Sequence, residues 1–256
     1  MATGRFAWHD LGTTDVGAAQ AFYGAVFGWT FVSIPMEGFD YVMIHTPSQP
    51  IGGMNPVDAG ESPHWVSYIS TDDIADTIKK LTATGGVNDS GPHHIPGIGQ
   101  MTYTHDPAGA KIAFFQGEGD WANVAMPLAQ GPGGVPVWHE LATDAVDAEC
   151  AWYEELVGWG HAEWPMGETA VYHGLLYGEV PIAGAYDKTA FGNEHMPNTW
   201  MVYIEAIGTP EETVAAIVAA GGTILQEPAL IEGTGTFIVA ADPTGAFFGV
   251  LDSLAM

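Results

Sequence analysis

Two stretches of this chain, 130 residues apart, read almost alike. Residues 8–29 are WHDLGTTDVGAAQAFYGAVFGW and residues 138–159 are WHELATDAVDAECAWYEELVGW. The echo continues downstream. Ile51-Gly52-Gly53 answers to Ile182-Ala183-Gly184, Trp65 to Trp200, Gly85-Gly86 to Gly221-Gly222, and the turn Asp106 to Gly109 to the turn Asp242 to Gly245. The offset drifts from 130 at Trp8 to 136 at Asp106, which a few inserted loop residues explain. A duplication this continuous means that whatever fold the first copy adopts, the second adopts too. The boundaries follow: a first domain over residues 1–121, a Gly- and Pro-rich linker over 122–136, and a second domain over 137–256.

Within each copy the hydrophobic rhythm repeats again. Phe6–Leu11 reads as a strand. Asp15 is a good N-cap, Val16, Ala19, Phe22, Tyr23, Val26 and Phe27 form a helical stripe, and Gly28 stands where a C-cap glycine belongs. Phe31–Ile34, Asp40–His45 and Pro50–Met54 read as strands. The order β-α-β-β-β then recurs, with a strand over Trp65–Thr71, a helix over Ile74–Ala83, and strands near Val87, over Gly99–His105 and over Lys111–Gln116. Four such modules, two per domain, make an α+β chain.

Composition narrows the partners. Asp and Glu total 31 against 5 Lys and Arg, a net charge of -26. Phosphate backbones and anionic lipid repel such a surface, so nucleic-acid and membrane roles are not expected. The N-terminus lacks a signal-peptide apolar run and no stretch is long enough for a membrane helix, so a cytoplasmic location is expected. Cys150 is the single cysteine, which rules out an internal disulfide. It falls on an amphipathic stretch, Ala145 to Leu156, where a buried thiol is expected. There is no Gly-rich phosphate loop and no Gly-x-Ser-x-Gly.

Phe22-Tyr23, then Phe27-Gly28-Trp29, then Asp-Pro-x-Gly at Asp106–Gly109, with Tyr153, Gly158-Trp159 and Asp242–Gly245 returning in the same order in the second copy, resemble the vicinal-oxygen-chelate superfamily of glyoxalases, extradiol dioxygenases and bleomycin-resistance proteins. The resemblance implies that two modules pair so that their strands form a cup-shaped, half-open barrel around a ligand. It also implies a divalent metal in each cup, Fe, Ni, Zn or Mn, held by His, Glu or Gln. Counted from the family's landmarks, the ligand positions are Trp8, Val66 and Ala113 in the first copy. In the second they are Trp138, Met201 and Gly249. None of the six can ligate a metal, so no metal is expected at them.

Strand side chains alternate, so if Trp8 and Asp10 face the cup, His9 and Leu11 face the packing helix. A bulge or a one-residue slip would reverse this, and His9, His139 and His64 are then the available metal donors. His93-His94 read as a loop pair. In the same register the first cup gains Trp8, Asp10, Tyr68, Ser70 and Tyr103, and the second gains Trp138, Glu140, Tyr203 and Glu205. Tyr41, Met43 and Tyr172 are further wall candidates. An aromatic wall with an inward carboxylate suits an apolar-bodied ligand with a polar handle. Asp10 and Glu140 are candidate general bases; the competing reading is a carboxylate that binds backbone N–H groups. The expected partner is a small molecule. Three functions stay open: lyase, isomerase or dioxygenase chemistry on an oxygenated metabolite, non-catalytic sequestration of a drug or metabolite, or a structural or regulatory role with vestigial cups. A monomer that mimics a dimer, or a homodimer, suits the duplication.

Overall fold

The computed structural model describes residues 3–36, 38–58, 60–127, 133–167 and 170–253; residues 128–132 of the linker lie outside them. The first copy opens with β1 (Phe6–Thr13), α1 (Val16–Phe27), β2 (Thr30–Pro35), β3 (Asp40–His45) and β4 (Pro50–Pro56). It continues with β5 (His64–Ser70), α2 (Ile74–Ala83), β6 (Val87–Ile95), β7 (Gly99–His105) and β8 (Lys111–Gly117). A short 3-10 turn, Gly119–Asn123, follows. The second copy repeats the order: β9 (Pro136–Thr143), α3 (Val146–Val157), β10 (Gly160–Met166), β11 (Ala170–Tyr177), β12 (Val180–Asp187), then β13 (Thr199–Glu205), α4 (Pro210–Ala219), β14 (Thr223–Ile231), β15 (Gly235–Ala241) and β16 (Phe247–Ser253).

The helices begin and end for local reasons. The Asp15 carboxylate accepts the Ala18 N–H, and Gly28 closes α1 at φ 63°, which only glycine adopts without penalty. Gly158 does the same for α3 at φ 74°. Thr209 and Glu212 form a reciprocal capping box on α4. One expectation is corrected. His93 and His94 are not in a loop but on β6, opposite Met101 and Gln100 of β7. The cause is a pairing that shifts register twice between Asn88 and His93, which the sequence pattern does not announce.

Each copy contributes one eight-stranded sheet, in the orders β2-β3-β4-β1-β5-β8-β7-β6 and β10-β11-β12-β9-β13-β16-β15-β14. Two modules thus meet at their first strands. This is the paired-module α+β fold that the resemblance implies.

Packing divides the chain differently from the repeat. One compact unit comprises Met1–Trp8, Ser67–Ala129 and His139–Met201; the other comprises His9–Val66, Gln130–Trp138 and Val202–Met256. Each unit therefore joins parts of both copies, and the repeated motifs hold them together. In the first unit, the Trp159 indole N–H donates to the Gly4 carbonyl oxygen at 2.6 Å, and the Trp200 indole N–H donates to the Tyr153 hydroxyl at 2.8 Å. That hydroxyl donates to Asp106 Oδ2 at 3.0 Å. In the second unit, Trp29 donates to the Gly134 carbonyl oxygen at 2.7 Å and Trp65 donates to the Tyr23 hydroxyl at 2.9 Å, which is directed at Asp242. Phe22-Tyr23 and its counterpart Trp152-Tyr153, the Gly-Trp turns and Asp-Pro-x-Gly are thus structural, each copy's tyrosine meeting the other copy's aspartate. Around Tyr153 the first core gathers Phe6, Phe114, Trp152, Trp159 and Trp200; around Tyr23 the second gathers Phe22, Phe27, Trp29 and Phe248.

Removing the Tyr153 hydroxyl strands two buried partners, an indole N–H and a carboxylate oxygen. Tyr153→Phe should cost about 1–3 kcal/mol, read as a lower urea midpoint with unchanged slope.

Candidate carboxylate–tyrosine sites

The most regular polar feature occurs once in each copy. On β1, Asp10 lies beside Gly53 of β4 in the parallel pairing. Tyr41 of β3 reaches over that glycine, and its hydroxyl donates to Asp10 Oδ1 at 2.7 Å. On β9, Glu140 lies beside Gly184 of β12. Tyr172 of β11 reaches over it, and its hydroxyl donates to Glu140 Oε1 at 2.8 Å. A Cβ on either glycine would stand inside the tyrosine ring. The ring can lie flat across the strand only because the residue beneath has no side chain.

The second site is the more aromatic. Trp164 of β10 stacks on Tyr172 with centroids 6.1 Å apart and planes 10° apart, and it covers Gly174. Tyr186 of β12 is opposite Tyr172 in register and packs edge-on against Phe191 at 5.2 Å. Burial, then the charge of Glu140, pushes the Tyr186 phenol up to about 12. Trp164 and Phe191 are exposed while Tyr186 is buried. Sequence reasoning missed Trp164, Tyr186 and Phe191; only their spacing around Tyr172 on neighbouring strands hinted at a shared surface.

The other predicted residues fall as follows. Tyr68 and Tyr103 pack at 6.0 Å, both beside Ala113 in register. Trp8 is half-buried against Trp121 of the 3-10 turn, at 5.6 Å. Trp138 is half-buried on β9. The Tyr203 ring lies over Gly249. Both oxygens of Glu205 accept from Ser253, one from its N–H at 3.0 Å and the other from its O–H at 2.7 Å, and burial raises the carboxyl.

The histidines are placed separately. His9 is fully buried with Nδ1 3.3 Å from the Ile51 carbonyl oxygen, and burial lowers it to about 4. His139 is buried and stacks on Phe6 at 3.4 Å. His64 Nδ1 lies 2.8 Å from the Ser62 carbonyl oxygen and Nε2 lies 3.6 Å from Glu61. Among the described residues, none of the three enters a cluster of three possible metal donors.

Nor do the six positions that the resemblance marks for metal ligands fit an ion. Ala113 is fully buried between two tyrosines and Gly249 is covered by one, so a carboxylate has no room where the family's last-strand glutamate would stand. Trp8, Val66, Trp138 and Met201 offer no donor.

The comparisons agree with this fold. A family model described as bleomycin resistance protein-like N-terminal matches residues 5–47. The chain is 32% identical over 250 residues to "Putative glyoxylase CFP32" of Mycobacterium bovis, covering 95% of this chain and 93% of that protein. It is 31% identical over 273 residues to the anthracycline biosynthesis protein DnrV of Streptomyces peucetius, covering 98% and 94%. Among solved structures, the Mn(II)-bound glyoxalase of Novosphingobium aromaticivorans superposes with a TM-score of 0.68 at 15% identity, over 99% of this chain and 83% of that one.

Proposed function

Because the chain belongs to the vicinal-oxygen-chelate superfamily, as a tandem glyoxalase-like protein, we propose that it is a lyase or isomerase for a small oxygenated metabolite with a flat apolar body. The observation that carries this is the duplicated pair, Tyr41 on Asp10 and Tyr172 on Glu140, each built over a glycine. A carboxylate that only tied strands together would not need a phenol laid across a bare backbone. The aromatic surface of Trp164, Tyr172 and Phe191 receives the ligand's ring, and the carboxylate and phenol receive its oxygens. Two relatives are named anthracycline biosynthesis proteins.

The chemistry such a pair supports is proton transfer next to a carbonyl. The carboxylate of Glu140 takes the proton from the substrate carbon, and the C–H electron pair becomes the enolate π bond. The Tyr172 O–H turns from Glu140 to the enolate oxygen and stabilises it. Where the deprotonated carbon bears a hydroxyl, the protonated Glu140 gives its proton to the former carbonyl carbon while the hydroxyl proton passes to the enolate oxygen, so that carbonyl and hydroxyl exchange places; where the next carbon bears a leaving group, the enolate re-forms its carbonyl, a C=C bond forms, and the group departs with its bonding pair and takes the Glu140 proton. Asp10 and Tyr41 would do the same in the first copy. No step is routed through a metal, because the residues at the superfamily's ligand positions do not form its donor set. That same misfit favours a second reading, a binder that holds such a ligand without turning it over.

One experiment separates the two. 1,8-Dihydroxyanthraquinone serves as a binding probe read by tryptophan quenching, and 2-hydroxyacetophenone as a carbon acid read by deuterium uptake from heavy water. The enzyme reading expects quenching and deuterium uptake, with uptake at background in Asp10→Asn/Glu140→Gln. Quenching without uptake supports the binder. No quenching by the wild type, or quenching unchanged in Tyr172→Phe, overturns both.

A further inference from the structure

Among the described residues, one group of side chains outside the carboxylate sites has the chemistry of a metal centre. Cys150 on α3, His161 on β10 and His173 on β11 bring a sulfur and two imidazole nitrogens within 4.8 Å of one another. His161 Nε2 and His173 Nδ1 are 2.9 Å apart, and the rings are stacked with centroids at 5.1 Å and planes 12° apart. Cys150 and His173 are buried, whereas His161 is exposed. The cluster therefore has a closed floor and a side open to water.

The duplication supplies a control. In register, Phe31 pairs with Ile44 as His161 pairs with Leu175. The first copy thus places Gln20, Phe31 and Val42 where the second places Cys150, His161 and His173. The fold at this point needs no sulfur and no imidazole: a half-buried Gln20, a half-buried Phe31 and a buried Val42 fill it in the first copy. Exchanging all three for metal-binding types together, at one place and in one copy, is what a site requires and packing does not.

We propose that Cys150, His161 and His173 bind one late first-row divalent cation, of which Zn²⁺ is the type, separate from the carboxylate sites. Thiolate and imidazole are its preferred donors. Tetrahedral bonds of about 2.0–2.3 Å place the ligand atoms about 3.3–3.7 Å apart. The two nitrogens, now 2.9 Å apart, must open, and the sulfur, within 4.8 Å of both, must close on them. The ring that now donates its N–H to the other must shift that proton to its far nitrogen, a change of tautomer with no net proton lost. Cysteine ligates as the thiolate, so uptake of the ion releases the Cys150 thiol proton. The fourth position faces water, where Glu163 stands directly across from His173. Asp147 and Glu163 add negative charge around His173, which favours a dication.

The test uses untagged full-length protein, stripped with chelator and titrated with Co²⁺ alone. Binding of one equivalent is expected, with a thiolate-to-cobalt charge-transfer band, tetrahedral d–d bands and proton release. Cys150→Ser should abolish the charge-transfer band. His161→Phe installs the first copy's residue at an exposed position, so it should fold normally and lose the equivalent. Asp10→Asn/Glu140→Gln should leave the spectrum unchanged. No uptake by the wild type, uptake without the thiolate band, or an unchanged spectrum in His161→Phe would each overturn the site.

Discussion

Glu149→Gln will be more stable than the wild type at pH 8 and lose that advantage by pH 5. Glu149 is buried on α3, its Oε1 accepts the Ala108 N–H at 3.0 Å, and its carboxyl faces that of Asp106. Burial, then the Asp106 charge, raises it from the ordinary 4.5 to about 8. Asp106 is raised as well, mainly by burial, against hydrogen bonds from the Ala110 N–H and the Tyr153 hydroxyl. Between pH 4.5 and 8 the folded chain therefore holds a proton that the unfolded chain has released. Stability from this group is fully present below about pH 4.5 and drains away as pH rises to about 8, at up to about 1.4 kcal/mol per pH unit. Glutamine cannot ionise, and its amide N–H₂ can donate to Asp106 as the protonated acid does. The expected gain at pH 8 is about 2–4 kcal/mol, measured by urea denaturation of both proteins across pH 5–8. Parallel curves for variant and wild type would show that Glu149 ionises freely in the folded state. The first copy has Ala19 here, and Asp242 is instead served by the Thr244 hydroxyl at 2.7 Å. The acid pair is thus not demanded by the fold.

What the sequence revealed and what it concealed divide along one physical line. Features set by local backbone chemistry were legible: the Asp15 cap, the left-handed Gly28 and Gly158, the extent of α2 at Ile74–Ala83 and of β3 at Asp40–His45. They depend on residues a few positions apart. Features set by which strand lies beside which were not legible. The repeat suggests two self-contained halves, yet Tyr153 meets Asp106 and Tyr23 meets Asp242, each from the other copy. Asp10 and Glu140 drew attention as inward carboxylates, but nothing along the chain showed that Tyr41 and Tyr172 would cap them over Gly53 and Gly184. The shared Ile-x-Gly echo recorded that geometry without explaining it. The Cys150, His161 and His173 cluster carries no motif spacing, because its donors come from a helix and two strands.

That glycine echo yields the second large effect. Gly184→Ala adds a single methyl group, on the strand residue beside Glu140 and directly beneath the Tyr172 phenol. The obstruction is the whole ring rather than a flexible chain end, and Trp164 stacked on that ring limits where it can go. Tyr172 must swing away from Glu140, which breaks the 2.8 Å bond and exposes the stack. Overpacking of this kind costs about 1–3 kcal/mol, which for a chain of this size lowers the melting temperature by roughly 3–10 °C. The functional loss should exceed the loss of stability. Quenching of Trp164 by 1,8-dihydroxyanthraquinone should weaken more than about tenfold, the loss of one good polar contact. Tyr172→Phe keeps the ring in place and should weaken it less. The decisive comparison is the double variant Gly184→Ala/Glu140→Gln. If the glycine serves to seat Tyr172 on Glu140, the two changes act on one interaction and their effects on binding will not add. Additive losses would mean that Gly184 matters to packing alone, and that the carboxylate binds without its phenol.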